Sequence, residues 1–314
     1  MVDQSGARSI ASPPARPKAI GRLRLPVAAM AALTPAWLII LLVYLGTTVW
    51  TVQISLTKSR MLPSNEFAGL SQYQRLFGTA RWSNSIENVL TFGVVYVLGA
   101  MVVGLLLAIA IDRRVRFESA WRTMFLYPYA LSFIVTGLMW QWLMNPEIGI
   151  QATARAAGLG WFTFDWTTRS DMALYAVALA GIWQSAGLVM VLMLAGLRGI
   201  DADLWRATRI EGIPMWRTYF TIVLPQLGPS VATAFMLLTM GAVRTFDLVV
   251  ALTNGGPGQS TEVPAKFIMD SLFARQDLGL ATAGATVMLF TVMAVTIPIL
   301  YARDIWTRRQ NGRL

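Results

Sequence analysis

The 314-residue chain contains no cysteine and no histidine. The first absence excludes disulfides, thiolate chemistry and cysteine metal sites. The second removes the usual general base and the commonest metal ligand. Lysine is nearly missing too, and none of Lys18, Lys58 and Lys266 follows a glycine. The nucleotide-binding loop G-x-x-x-x-G-K-[ST] is therefore absent. If the chain takes part in ATP-driven work, the ATP and its Mg belong to partner subunits, and this chain carries no cofactor. Charge of either sign is thin, at 13% of residues against about 25% in soluble domains. With 55% hydrophobic residues, that excludes an ordinary soluble globule and points to a chain whose solvent is largely lipid.

A helix crossing the hydrocarbon layer needs about 20 mostly apolar residues. Six stretches qualify: Leu25–Val52, Asn88–Ile111, Thr123–Met144, Met172–Leu197, Phe220–Val243 and Gly279–Tyr301, none holding an Asp, Glu, Lys or Arg. The expected fold is all-α, an integral membrane protein with six transmembrane helices. The first stretch is too long, and too far from the start, for a cleavable signal peptide. Segments 1–24, 112–122, 198–219 and 302–314 fall on one side and carry 17 basic and 7 acidic residues; the other side carries 9 of each. The positive-inside rule then places both termini in the cytoplasm. The basic surplus suits anionic membrane lipids rather than nucleic acid, since no soluble basic domain is present. Residues 1–24 read as a disordered basic tail, 25–301 as the transmembrane domain and 302–314 as a second basic tail. Trp82, Trp140, Trp142, Trp161 and Trp166, in or beside the outer loops, read mainly as interfacial anchors.

The most informative stretch is the loop from Gly199 to Pro225. Asp201 or Asp203 can cap a short helix over Leu204–Glu211, Gly212 suits the left-handed residue that ends it, and Pro214 opens a second helix. Pro225, Gly228 and Pro229 break that helix before the fifth span. Leu204, Ala207 and Thr208 share one small apolar face, with Arg206 and Arg209 pointing elsewhere. Such a face suits either a groove on another protein or the lipid headgroups.

These residues resemble the membrane subunits of bacterial ATP-binding-cassette importers, in particular the binding-protein-dependent sugar permeases. That family carries an E-A-A-x-x-x-G loop followed by I-x-L-P; here the matching positions are Arg206, Ala207, Thr208, Glu211, Gly212 and Ile222-Val-Leu-Pro225. Arg206 stands where the family has glutamate, and Thr208 where it has the second alanine. Gly69-Leu-Ser-Gln-Tyr73 with Leu76, Phe77, Trp82 and Asn88 is similar to the family's approach to span two. Phe246-Asp247, Thr253-Asn-Gly-Gly-Pro257 and Ser260-Thr-Glu262 are similar to the segment after span five in sugar permeases. The resemblance implies a MetI-like fold, import of a sugar or sugar derivative, and localisation in the inner membrane. It also implies a homologous second permease, two ATPase subunits and a periplasmic substrate-binding protein as partners. Leu204, Arg206, Ala207, Thr208, Glu211 and Gly212 would couple to the ATPase.

Candidates for sugar contact near the outer span ends are Trp140, Gln141, Trp183, Gln184, Arg244, Thr245 and Asp247. A buried amide is costly without a partner, so Gln141 and Gln184 either meet substrate or bond a neighbouring helix. Arg244 and Asp247 are three apart and would share a helical face, as an ion pair or, with Arg244 turned to the cavity, as a site for an anionic sugar. An ion-coupled carrier is disfavoured because no ionisable residue lies within the six stretches. A membrane-embedded enzyme is disfavoured because no carboxylates converge there.

Overall fold

The structure, a computed structural model, describes residues 27–112 and 115–311. The tail expected over 1–24 lies outside the described residues. The chain divides after Val49. In the first unit, residues 27–49 are helical, with a widened π-helical stretch at Ile40–Leu45. The second unit holds everything from Trp50 onward. Its described residues are helical apart from loops and one isolated antiparallel bridge, Thr57 to Phe67.

Four helices are long and apolar enough to cross a membrane: Ala32–Ser55, Ala80–Asp112, Ala173–Arg198 and Leu278–Pro298. Two further segments are bent pairs, Glu118–Ala130 with Phe133–Leu143 and Met215–Gln226 with Gly228–Val243. Counting each pair once gives the six segments expected, here numbered one to six in chain order.

The bends are larger than the sequence suggests, 99° in segment three and 71° in segment five. In segment three, Leu131 is extended (φ −75°, ψ 148°) and Ser132 restarts the helix by accepting the Val135 N–H at 3.2 Å. Pro128, lacking an N–H and crowding the preceding turn, weakens the helix just before this point. In segment five a π-helical stretch, Tyr219–Val223, precedes Pro225, Gly228 and Pro229, as expected where backbone donors are missing.

Segments two and four form the centre. A methyl on Gly104 would meet the Val189 side chain at 2.5 Å, and one on Gly187 would meet the Phe125 carbonyl oxygen at 2.0 Å. Such backbone contact between helices is how membrane bundles pack without a hydrophobic drive. Val177, Val189, Met190, Met193 and Leu197 are fully buried in this contact region. At the Arg-rich end, called here the basic face, Arg198 reaches Glu118 at 2.7 Å and Asp112 at 4.0 Å. This joins segments two, three and four.

At the opposite face a latch of charges fixes residues 253–275 to segment two. Arg81 pairs with both Glu262 and Asp270, and Lys266 donates to Asp270 at 2.6 Å. Asn88 donates to the Gln259 and Glu262 carbonyls, both at 2.9 Å. Trp82 is not an interfacial anchor: it is 2% exposed and packs edge-on against Phe267 at 5.2 Å. Trp142 and Trp161 are exposed.

Candidate functional sites at the basic face and at mid-depth

The loop at the basic face takes the shape its residues predict. Asp201 caps the helix Ala202–Ile210 by accepting the Asp203 N–H at 2.9 Å. Gly212, at φ 66°, occupies the left-handed turn, and the Ile213 N–H closes it on the Thr208 carbonyl at 3.1 Å. Trp205 meets Tyr219 edge-on at 5.6 Å, tying the two helices together.

The face it offers differs from expectation. Thr208 is buried and Leu204 and Trp205 are half-buried, so they pack back on the chain. The outward face is Asp203, Ala207 and Ile210, spaced i, i+4, i+7, with Ile210 86% exposed. Ile210 and Ala207 thus leave an apolar strip on the outer side of this helix. Arg206 lies beside that face and donates to Asp203 at 2.9 Å, so a carboxylate remains one turn before the position where the family has glutamate. Glu211 and Gly212 are exposed at the helix end.

A second set of polar groups sits halfway along the bundle. Ser185 lies near the middle of the unbroken helix Ala173–Arg198, about 19 Å from either end at 1.5 Å per residue. Tyr96, near the middle of segment two, shares a hydrogen bond with Ser185 at 2.7 Å. Beside it, the Gln184 amide donates to the Leu131 carbonyl at 2.8 Å, at the bend of segment three. Trp140 and Trp183 meet edge-on at 5.9 Å. The structure thus brings Trp140, Trp183 and Gln184 together, whereas Gln141 faces away and is exposed.

Four buried polar atoms on these helices have no hydrogen-bond partner: Thr136 Oγ1, Trp140 Nε1, Gln184 Oε1 and Thr239 Oγ1. Unmet polar groups in an apolar bundle are costly, and each calls for a partner such as water, a ligand or another protein group. Thr136, Thr239 and Tyr96 escape sequence reasoning, since a single hydroxyl in an apolar run gives no pattern.

Arg244, Thr245 and Asp247 follow the end of segment five. The helix stops at Val243, and Thr245 Oγ1 turns back to the Gly241 carbonyl at 3.1 Å. Arg244 and Asp247 therefore do not share a helical face, and no ion pair joins them among the described residues. The sugar-permease string after them is bonded within itself and to segment two. Thr253 and Thr261 share a hydrogen bond at 2.7 Å, Thr261 donates to the Gly256 carbonyl at 2.9 Å, and Glu262 belongs to the latch.

Comparison with known proteins agrees with this architecture. Residues 100–313 match the family described as binding-protein-dependent transport system inner membrane component. The chain is 33% identical over 259 residues to a xylose/arabinose import permease protein of Haloferax volcanii, covering 82% of this chain and 81% of that one. It is 31% identical over 283 residues to a sulfoquinovosyl glycerol transport system permease protein of Agrobacterium fabrum, covering 89% and 91%. The fold matches a chain of a bacterial ABC transporter that imports the acidic polysaccharide alginate, with TM-score 0.73, 19% identity, and 90% and 95% of the two chains covered. It also matches a chain of a bacterial alginate ABC transporter in complex with an alginate pentasaccharide-bound periplasmic protein, with TM-score 0.72, 19% identity, and 90% and 94% of the two chains covered. The relatives match over most of the chain in sequence, and the solved transporter matches it in fold. The chain belongs to the binding-protein-dependent transport family, as a multi-pass inner-membrane permease of the sugar ABC-importer kind.

Proposed function

We propose that the chain is one of two homologous permeases in an importer of a sugar or sugar derivative. Two ATPase subunits, which bind the ATP and Mg, would drive it, and a periplasmic binding protein would feed it. The basic face, with both termini, is then cytoplasmic, and the latch faces the periplasm. The observation that carries the proposal is the capped helix Ala202–Ile210, held rigid by Trp205 against Tyr219 while Ile210 stands 86% exposed. A ligand shifts a conformational equilibrium only by binding one state better. Closure of the ATPase pair on ATP would do this, and a rigid helix seated in each ATPase would carry the motion into the bent segments. Arg206, Ala207, Glu211 and Gly212 flank that contact, with Leu204 and Thr208 anchoring it from behind.

The mid-depth groups would form the transient sugar site. Trp140 and Trp183 offer ring faces, Gln184 and Thr136 offer unmet bonding capacity, and Arg244, Thr245 and Asp247 offer charge and a hydroxyl. Gln141, on the exposed face of the same half-helix, would meet sugar or the second permease. The carbohydrate relatives support the substrate class.

The test is reconstitution of the complex in proteoliposomes with its binding protein. Uptake should survive an uncoupler and stop without ATP. Ile210→Asp should abolish ATP-driven uptake with the permease pair still assembled. Because the chain has no cysteine, Ile210→Cys adds a single thiol here, and it should cross-link to the ATPase. Uptake that follows the ion gradient instead would reject the proposal.

A further inference from the structure

We infer that the cavity between the loop helix Ala202–Ile210 and the adjoining ends of segments two and five is a phospholipid headgroup site. Arg206 and Arg209 take the phosphate and Asp112 takes an ammonium group, so the lipid is a phosphatidylethanolamine. The inference goes beyond the importer reading and needs only that the chain spans a membrane.

Room is the first observation. The cavity has a volume of about 480 Å³ and is lined by Asp112, Trp205, Arg206, Arg209, Met215 and Tyr219, among others. A water in the liquid takes about 30 Å³, so the space admits a headgroup rather than a single solvent molecule. Asp112 is the last residue of segment two, and Met215 and Tyr219 belong to the start of segment five. The cavity therefore opens where two membrane-crossing segments reach the basic face, at the level of the headgroups.

Charge is the second. Asp112 is half-buried, and its one ion pair among the described residues is with Arg198 at 4.0 Å, while Arg198 bonds Glu118 at 2.7 Å. A carboxylate partly withdrawn from water calls for a closer donor. On the loop-helix wall the balance is reversed. Arg209 makes no ion pair among the described residues, and Arg206 uses one nitrogen, Nη1, on Asp203. Guanidinium nitrogens pair well with phosphate oxygens, and basic pockets between helices at this face are where lipid phosphates bind. A carboxylate in the same cavity selects a headgroup that carries an ammonium beyond its phosphate. A glycerol headgroup satisfies only the arginines, and a choline has no N–H to donate.

The third observation says why the ligand has tails. Next to the cavity Met215, Trp216 and Phe220 are all exposed. Trp216 and Phe220 are four apart and share a side, with the Arg217 guanidinium over the Trp216 ring at 5.7 Å. Aromatic rings of this kind favour the bilayer interface and give the glycerol and upper chains an apolar seat. The outward side of the loop helix, Asp203, Ala207 and Ile210, is a different one. A lipid in the cavity leaves that side free and bridges the loop helix to the end of segment two.

The test uses the full-length chain with its co-purifying subunits, stripped of lipid in detergent. It is titrated with short-chain phosphatidylethanolamine, phosphatidylglycerol and phosphatidylcholine, and with free phosphoethanolamine, and bound molecules are counted by native mass spectrometry. Wild type should hold one phosphatidylethanolamine per copy of this chain, about 10-fold tighter than the other two lipids, the effect of one charge-assisted hydrogen bond. Asp112→Asn should bring phosphatidylethanolamine down to the level of phosphatidylglycerol without weakening the latter. Arg209→Gln, at an exposed position, should weaken both about 10-fold with the melting temperature unchanged. Arg155→Gln, exposed on the short helix Ile150–Ala156 beyond the other end of segment three, should bind as wild type. Equal retention of the three lipids, unmoved by Asp112→Asn and Arg209→Gln, overturns the inference. Free phosphoethanolamine binding as tightly as the lipid would make this a site for a soluble ligand and also overturn it. So would loss of an ATPase subunit from Arg209→Gln with phosphatidylethanolamine still held, which assigns the cavity to that subunit.

Discussion

The side-chain amide of Gln184 donates to the Leu131 carbonyl at 2.8 Å, where segment three turns through 99°. The bend frees backbone groups in an apolar setting, and this one bond meets the most exposed need. Gln184→Leu should leave the carbonyl unpartnered and cost about 1–3 kcal/mol. A lower melting temperature of the purified permease in detergent would register it, whereas an unchanged one would mean that the carbonyl finds another donor.

Gly187 lies one turn further along the same helix. A methyl there would sit 2.0 Å from the Phe125 carbonyl oxygen, an atom of the main chain that cannot swing aside. Gly187→Ala should destabilise the bundle by about 1–3 kcal/mol or more. Gly160→Ala, where a methyl meets nothing within 4 Å, is the control and should melt as wild type.

The Arg81 latch makes a pH prediction. Burial works against ionisation of Asp270, but hydrogen bonds from Lys266 and Arg81 outweigh it and hold this carboxyl below its usual range. A depressed folded-state pKa contributes stability above the unfolded value, about 3.9, and loses it as pH falls through the folded pKa. The latch should therefore be constant from neutral pH down to about 5 and fail only in stronger acid. Arg81→Met leaves Glu262, 2% exposed, as a buried charge without its cation. Removing one partner of such a pair costs about 3–5 kcal/mol. Melting curves across pH should show a large loss for Arg81→Met at neutral pH and a smaller acid-dependent loss than wild type, because Asp270 has lost one of the two hydrogen bonds that depress its pKa.

Trp205 should matter for the loop rather than for the bundle. Its edge-on contact with Tyr219 is worth about 0.5–1.5 kcal/mol beyond burial. Trp205→Ala should speed amide exchange over residues 199–225 and leave the protection of segments two and four unchanged. Equal loosening everywhere would mean that the loop is part of the core.

Much of this was readable from the residues. The six segments follow from apolar run length, and the turn at Gly212 follows from the one residue type that takes φ 66° without strain. The outward side of the loop helix did not follow, because helical spacing places Leu204, Ala207 and Thr208 together without saying which side meets the bundle. Trp205 decides that by reaching Tyr219, a contact between residues fourteen positions apart that no local pattern encodes. The path after segment five was equally invisible: instead of leaving, the chain returns as the short helix Asp247–Leu252, where Gly137 of segment three meets Ala251.

Segments two and four alone combine an unbroken helix with the densest packing, joined at Gly104 against Val189 and by the Tyr96–Ser185 bond. The two bent segments lie to either side of them: segment three is braced on segment four through Gly187, and segment five on segment two through Gly93. Under the proposed importer, a pull at the basic face would meet the breaks at Leu131–Ser132 and at Pro225–Pro229 as the weak points, whereas the two straight helices offer it no such break in their backbone.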